Sequence, residues 1–109
     1  MTDPNARLQE LIQGLTSPHD VKRIHAGLLL GRMGPEASEA VPTLLELLQD
    51  ASIQNRRLAA WTLGNIGQGA VEAIPALLVA LRDSNDGVRK MACEALEKIS
   101  PSGTQARAA

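Results

Sequence analysis

The feature that most constrains the fold of this chain is a repeat with a period of 33 residues. The segment from Pro42 to Ile74 can be moved forward by one period, or back by one period, and matches without a gap in either direction. The forward matches are Pro42 with Pro75, Leu44 with Leu77, Leu45 with Leu78, Leu48 with Leu81, Asp50 with Asp83, Arg56 with Arg89, Ala59 with Ala92, Leu63 with Leu96 and Ile66 with Ile99. A fixed period of about 20 to 50 residues is typical of stacked repeat proteins. The chain is therefore expected to fold as a stack of similar units.

Each unit has the apolar spacing of two amphipathic helices. In the first unit, Leu8, Leu11 and Leu15 recur at three and four residues, which places them on one helix face. The helices are predicted at about Pro4 to Thr16, 21–33, from between Glu36 and Glu39 to before Asp50, about Ile53 to Ile66, about Val71 to Leu81 and about Asp86 to Ile99. Since no pair can bury its apolar faces alone, the sequence predicts an all-α solenoid of three antiparallel helix pairs, six helices in total.

Length and composition limit the domain organisation and the class of protein. The 109 residues suffice for one domain, which we place at residues 1–100 with repeats at about 4–34, 36–67 and 69–100, followed by a disordered tail at 101–109. The formal net charge of −1 gives no excess of basic groups for nucleic acid. No apolar run is judged long enough to span a membrane, and residues 1–9 are too polar for a secretory signal, so a cytoplasmic location is expected.

The side chains that could carry chemistry do not form a recognisable site. His19 and His25 are six residues apart, which is not one helix face, so we expect a solvated His19 and a half-buried His25 rather than a metal site. Cys93 is the only cysteine and shares its repeat position with Gly27 and Ala60, which favours close helix approach over a nucleophile. The glycines follow no strand, so no phosphate-binding loop is indicated. We therefore expect no catalysis, no metal and no cofactor.

At this point the repeat resembles a known family, the HEAT repeat, and more closely its short phycobilisome-lyase-type form. The motif begins with Ala-Val-Pro or Ala-Ile-Pro at residues 40–42 and 73–75, followed by Leu-Leu-x-x-Leu. It continues with the aspartates, the arginines six residues later, and a closing Leu-x-x-Ile. Ser17 and Ser100 depart from the motif, both in the terminal units. The resemblance covers about Leu8 to Ile99 and implies a right-handed solenoid.

The resemblance also implies a structural role for four charged residues. Asp50, Arg56, Asp83 and Arg89 would form a ladder of charge-assisted hydrogen bonds between adjacent units. An exposed acid or base site is the weaker alternative for the same residues.

The outward positions of the second helices predict a binding surface. In the third unit these positions are polar, but transferring them back by one and two periods gives Ile24, Leu28 and Trp61 as exposed apolar side chains. Arg32, Arg57 and Asn65 would border this patch, and Gly31 and Gly64 would form its floor. In solenoids of this family the second-helix face is concave and commonly binds partners, and a large aromatic residue beside arginine is typical of an interaction hot spot.

Four functions remain open on these observations. The first is a non-catalytic interaction module or scaffold that binds a helix or an extended segment of another protein around Trp61. The alternative is a structural protein that forms a homodimer through the same patch, and Trp61 could also serve merely as cover for a short stack. A bilin lyase-type accessory subunit needs an acid or cysteine near the patch, where none is predicted. Nucleic-acid binding needs a row of exposed basic side chains. Arg23 and Arg56 are not available for such a row, because they occupy the repeat position that is expected to bond between units.

Overall fold

The computed structural model describes residues 3–100, and within this range the chain is helical without a strand. The α-helices are α1 (Pro4–Gly14), α2 (Asp20–Met33), α3 (Val41–Leu48), α4 (Ile53–Ile66), α5 (Ile74–Ala80) and α6 (Asp86–Ile99). Two 3-10 helices, Gly34–Ala40 and Gly67–Ala73, connect α2 to α3 and α4 to α5. The all-helical prediction is confirmed for these residues. The predicted tail at 101–109 lies outside them.

The prediction of six separate helices is only partly right, because the 3-10 helices join α2 to α3 and α4 to α5 without a non-helical residue between them. The described chain forms four continuous helical runs, at 4–14, 20–48, 53–80 and 86–99. The direction changes inside the two long runs. Gly34 and Gly67 have φ angles of 66° and 70°, and Ala37 and Ala70 leave the helical region in the middle of each 3-10 helix. The third and fifth α-helices therefore begin later than predicted, at Val41 and Ile74.

Local capping groups fix where several helices begin. The Asp3 carboxylate accepts a hydrogen bond from the Asn5 N–H at 3.0 Å, and Pro4 occupies the first turn, where an N–H would lack a partner. At the start of α6, the Asn85 side chain accepts from the Val88 N–H at 3.0 Å. Ser52 accepts from the Asn55 N–H in the same way at the start of α4. The caps at Ser52 and Asn85 place the turn between the two helices of the second and of the third repeat.

The core is a continuous aliphatic layer between the helices. Within each repeat the first helix packs against the second, and α2, α4 and α6 pack side by side with α4 in the centre. The largest fully buried apolar side chains are Leu15, Leu30, Val41, Leu44, Leu63, Ile66, Leu77, Val88 and Ile99. Thr62 is also buried, and its hydroxyl donates to the Gly27 carbonyl at 3.2 Å. That hydrogen bond satisfies a polar group inside the contact between α2 and α4.

One helical run, Ile53–Ala80, is long and apolar enough to pass a length-and-composition test for a membrane span. The sequence prediction found no such run, because it considered only uninterrupted apolar residues, of which the longest stretch is Gly27 to Gly31. The structure bends this run at the second 3-10 helix, and Leu63 and Leu77 from its two halves are fully buried in the core. The two α-helices of the run, α4 with 14 residues and α5 with 7 residues, are each shorter than the about 20 residues that a membrane-spanning helix needs.

Candidate functional site

A shallow groove lies on the face formed by the second helices. Its volume is about 300 Å³, and it lies between side chains of α2, α4 and α6. The lining residues are Ile24, Leu28, Gln54, Arg57, Leu58, Trp61 and Met91. Apart from Gln54 and Arg57 the lining is apolar, and Leu28 keeps 41% of its surface exposed. An apolar depression with a few polar groups at its edge is the usual form of a site for a partner side chain.

Trp61 is half-buried and rests on α2 at Gly31. A Cβ atom placed on Gly31 would lie 2.8 Å from Cζ3 of the tryptophan ring and 3.2 Å from Cη2, so only a glycine lets the ring approach this closely. Asn65, one turn further along α4, donates from its side-chain amide to the Trp61 carbonyl at 2.9 Å. The ring is therefore held against α2 on one side and is partly open to solvent on the other.

The structure brings together four of the six residues predicted for this surface. Ile24, Leu28, Arg57 and Trp61 line the groove. Asn65 lies next to Trp61 but outside the lining, and Arg32 is exposed outside it. That these residues bind a partner stays a prediction.

Three lining residues were missed by the sequence prediction. Leu58 and Met91 occupy the same position in successive repeats, which is also the position of His25. The repeat pattern predicted that side chains at this position are half-buried. His25 is exposed instead, because no repeat precedes the first one within the described residues. The repeat alignment could have identified Leu58 and Met91 as groove residues, whereas no pattern in the sequence singles out Gln54.

Gly64 is not the floor of the groove as predicted. A Cβ atom on Gly64 would lie 2.8 Å from the Ala95 Cα and 3.0 Å from the Ala95 Cβ. The glycine therefore lies in the contact between α4 and α6, where it lets the two backbones approach each other. The expected close approach at the Cys93 position is wrong for this third repeat, since Cys93 is exposed.

The predicted ladder residues form one direct ion pair across a repeat boundary. Arg56 donates from Nε to Asp83 Oδ2 at 2.9 Å and from Nη2 to Oδ1 at 3.2 Å, and each side chain is only 14% exposed. Its Nη1 also donates to the carbonyls of Asp50 and Ala51, both at 2.9 Å. Arg56 therefore joins the turn of the second repeat to the turn of the third.

The boundary between the first and second repeats uses an asparagine instead. Arg23 donates to the Asn55 side-chain carbonyl at 3.1 Å, and the Asn55 amide donates to Asp50 at 3.1 Å. Arg89, at the corresponding position of the third repeat, pairs with Asp86 in its own helix. The repeat pattern includes Arg23, but nothing in the sequence indicates the insertion of Asn55.

All three arginines share one further contact. In each repeat, Nη1 donates to the backbone carbonyl six residues earlier, which belongs to the turn between the two helices. The pairs are Arg23 with Ser17, Arg56 with Asp50 and Arg89 with Asp83. This repeated contact ties each second helix to the end of its first helix.

Two half-buried aspartates, Asp50 and Asp83, are held in their charged form. The hydrogen bond from Arg56 lowers the pKa of Asp83, and the backbone N–H of Ser52, followed by the Asn55 amide, lowers the pKa of Asp50. Carboxylates that are ionised and hydrogen-bonded in this way are poor general acids at neutral pH. Among residues 3–100, no group of three His, Cys, Asp or Glu side chains is placed to hold a metal ion.

The contact between Trp61 and Gly31 leads to a test of the groove geometry. We expect Gly31→Ala to push the ring toward solvent and to cost about 1 kcal/mol of stability, since overpacking outweighs the gain in helix propensity. Trp61 is the only tryptophan, so its fluorescence should shift to longer wavelength and acrylamide should quench it faster.

Gly14→Ala provides the control for this experiment. Its added Cβ would lie 3.0 Å from the Ala26 Cβ, a contact slightly longer than the 2.8 Å at Gly31, and no atom of Trp61 lies within 4 Å of it. Equal emission shifts in the two variants would contradict the placement of the ring over Gly31.

Comparison with known proteins agrees with this architecture. A family model described as HEAT repeats matches residues 8–97, most of the chain. No curated protein matches the chain significantly. The match confirms the resemblance to HEAT repeats, while the assignment to the short phycobilisome-lyase-type form stays a prediction. By the extent of the match and the stacked helix pairs that it covers, the chain belongs to the HEAT repeat family.

Proposed function

We propose that this chain is a non-catalytic interaction scaffold that binds a segment of another protein in the groove around Trp61. HEAT repeats generally mediate protein–protein interaction and generally act as non-catalytic scaffolds. The observation that supports the proposal most is the groove itself, in which a half-exposed tryptophan and Leu28 are the anchors of an apolar depression. Exposed apolar patches with a large aromatic side chain are typical of interaction sites.

The lining suggests the chemistry of the partner segment. Arg57 is the only charged residue in the lining and is exposed at its edge, so it would pair with an acidic side chain of the partner. We propose a helix or an extended segment that carries apolar side chains for the groove and an acid for Arg57. In this proposal the solenoid is right-handed, its second-helix face is concave, and the protein works in the cytoplasm without a cofactor and away from membranes.

Other functions have weaker support. A homodimer through the same groove would bury Trp61 and Leu28 of both copies, and it remains the alternative proposal. A nucleic-acid groove would need a row of cations, whereas the lining has one arginine and the chain has a net charge of −1. A bilin-handling subunit would need an acid or a cysteine in the groove, and neither is among the lining residues.

The proposal is tested by selecting peptides from a displayed random library on the immobilised chain. The selected peptides should combine apolar and acidic residues. Leu28→Glu and Trp61→Ala should weaken their binding by about tenfold or more, because each removes an anchor from the centre of the site. Affinity is measured by fluorescence polarisation, with circular dichroism to show that each variant is folded.

Val21→Glu is the matched control for this measurement. Val21 is 81% exposed on α2 but does not line the groove, so it receives the same charge on the same helix away from the site. Peptides that bind all folded variants equally, or a selection that enriches no peptide, would count against the groove as a binding site. If Leu28→Glu lowered the mass of the assembly in solution and Val21→Glu did not, the result would favour the homodimer through the groove.

A further inference from the structure

Helix α5 is apolar on every side although part of it faces solvent. Its sequence, IPALLVA, contains no polar side chain. Leu78 and Val79 are 53% and 73% exposed. One and two periods earlier, the position of Val79 holds Glu46 and Gln13, which suit solvent. A helix that is hydrophobic all round is normally buried all round, so α5 lacks a covering surface.

Leu78 belongs to a larger uncovered surface at the end of the stack, which we call the C-terminal face; Val79 does not line it. It is lined by Ile74 and Leu78 of α5, by Leu81 directly after α5, by Cys93, Leu96 and Glu97 of α6, and by Ser100 directly after α6, around a depression of about 300 Å³. The corresponding residues of the second repeat are covered by the third repeat. Val41, Ala60 and Leu63 are fully buried there, and Leu48 is 5% exposed, while Leu45, the counterpart of Leu78, is half-buried. The C-terminal face therefore has the chemistry of a surface on which another repeat packs.

The opposite end of the stack is charged. The depression at the first repeat is lined by eight residues, of which Arg7, Glu10, Lys22 and His25 are polar and titratable. A second copy that stacked head to tail would bury these groups against the apolar C-terminal face, which is costly without partners for them. Two C-terminal faces, in contrast, meet mainly through apolar side chains, because five of the seven lining residues are apolar or cysteine and only Glu97 and Ser100 are polar. A contact of a face with its own copy closes a twofold dimer, the commonest oligomer.

The segment that follows α6 is a poor candidate to fill this face. Residues 101–109 read PSGTQARAA and contain no leucine, isoleucine, valine, methionine or aromatic residue. They offer only alanine and proline as apolar groups.

We propose that a second copy of the chain covers the C-terminal face, so that α5 and α6 of the two copies pack in a closed twofold dimer. The dimer places six repeats end to end. It leaves both grooves around Trp61 exposed, because none of their lining residues belongs to the C-terminal face. The proposal is thus independent of the binding function proposed above.

The test measures mass by light scattering under reducing conditions, from micromolar to submillimolar chain. The unmodified chain should approach twice its mass of 11.6 kDa as concentration rises. Leu78→Glu should weaken dimerisation by about a hundredfold or more, because the twofold axis puts two unpaired charges in the interface. Val71→Glu is the matched control, since Val71 has the same 53% exposure but does not line the face. Leu28→Glu, in the groove, should also leave the dimer intact.

Cys93 supplies a second readout, because it lines the C-terminal face and is exposed in the single chain. Its rate of alkylation by iodoacetamide should fall as the chain concentration rises, and should stay constant in Leu78→Glu. A chain that is monomeric at every concentration overturns the proposal, as does a Leu78→Glu variant that still dimerises. A monomer whose Cys93 reacts more slowly than in Leu78→Glu would also overturn it, and would indicate that the chain's own residues cover the face.

Discussion

Replacement of Arg56 by methionine is expected to lower the free energy of unfolding by about 2 to 4 kcal/mol. Methionine keeps the aliphatic stem, so the loss reports mainly the polar contacts. Without the guanidinium, the Asp83 carboxylate loses both hydrogen bonds across the repeat boundary, and the carbonyls of Asp50 and Ala51 lose their donor. The Asp83 side chain is only 14% exposed, so water replaces its lost donor only in part, whereas water can hydrate the carbonyl of the exposed Ala51. Urea unfolding followed by circular dichroism measures the change.

Arg89→Met is the matched control, because Arg89 occupies the same position one repeat later. Its side chain is 40% exposed, and its carboxylate partner is the exposed Asp86 of the same helix. We expect a loss of about 1 kcal/mol or less there. Similar losses in the two variants would show that the contact across the repeat boundary adds no stability beyond the contact within the turn.

The same ion pair should be visible in the pH dependence of stability. Because Arg56 lowers the pKa of Asp83 in the folded chain, the unfolded chain binds the proton more readily. The contribution of the pair is therefore complete above the ordinary aspartate pKa of about 3.9 and is lost as the pH falls toward the lowered value. In Arg56→Met this part of the acid destabilisation should disappear. An unchanged pH profile would contradict the assignment.

The second large effect is expected at Gly64. Alanine is the better helix former by about 1 kcal/mol, so an unhindered Gly64→Ala would stabilise α4. Here the added Cβ would lie 2.8 Å from the Ala95 Cα, which is backbone and cannot rotate away, so α4 and α6 must separate. We expect a net loss of about 1 to 3 kcal/mol in urea unfolding.

A double-mutant cycle separates this contact from other effects of the alanine. Adding Ala95→Gly removes the methyl group that the new Cβ would meet at 3.0 Å, while the contact with the Cα remains. The loss in the double variant should therefore be smaller than the sum of the two single losses, by about 0.5 to 1 kcal/mol. A stabilised Gly64→Ala, or strict additivity in the cycle, would contradict the close approach of the two helices.

The 33-residue period predicted most of the fold because equivalent positions meet equivalent neighbours. Leu30 and Leu63 are buried and Arg56 bonds across a repeat boundary, as their repeat positions indicate, since each has a neighbouring repeat on at least one side. The period could not show that the ends differ. His25 and Cys93 were expected to be half-buried and closely packed, but both are exposed, because the first repeat has no predecessor and the third no successor among the described residues.

Other features were out of reach because they depend on side-chain direction or on backbone detail. Whether Trp61 points outward or crosses to Gly31 depends on its rotamer, which the period does not specify. Asn55 enters the charged network between Arg23 and Asp50 without any repeated counterpart. The 3-10 helices were predicted as turns and helix starts, since the same glycines and prolines are compatible with both.

The two glycines that begin the 3-10 helices have backbone angles that favour an amino acid without L-chirality. Gly34 has φ 66° and ψ −141°, and Gly67 has φ 70° and ψ −131°, which are mirror images of an ordinary extended conformation. No atom crowds the place where a Cβ would stand at either glycine. Ser100, which occupies the same position in the third repeat, has a φ angle of −128° instead. The two internal repeat boundaries therefore depend on the one encoded amino acid without chirality, and a D-alanine introduced by chemical synthesis would fit where every L-residue is strained.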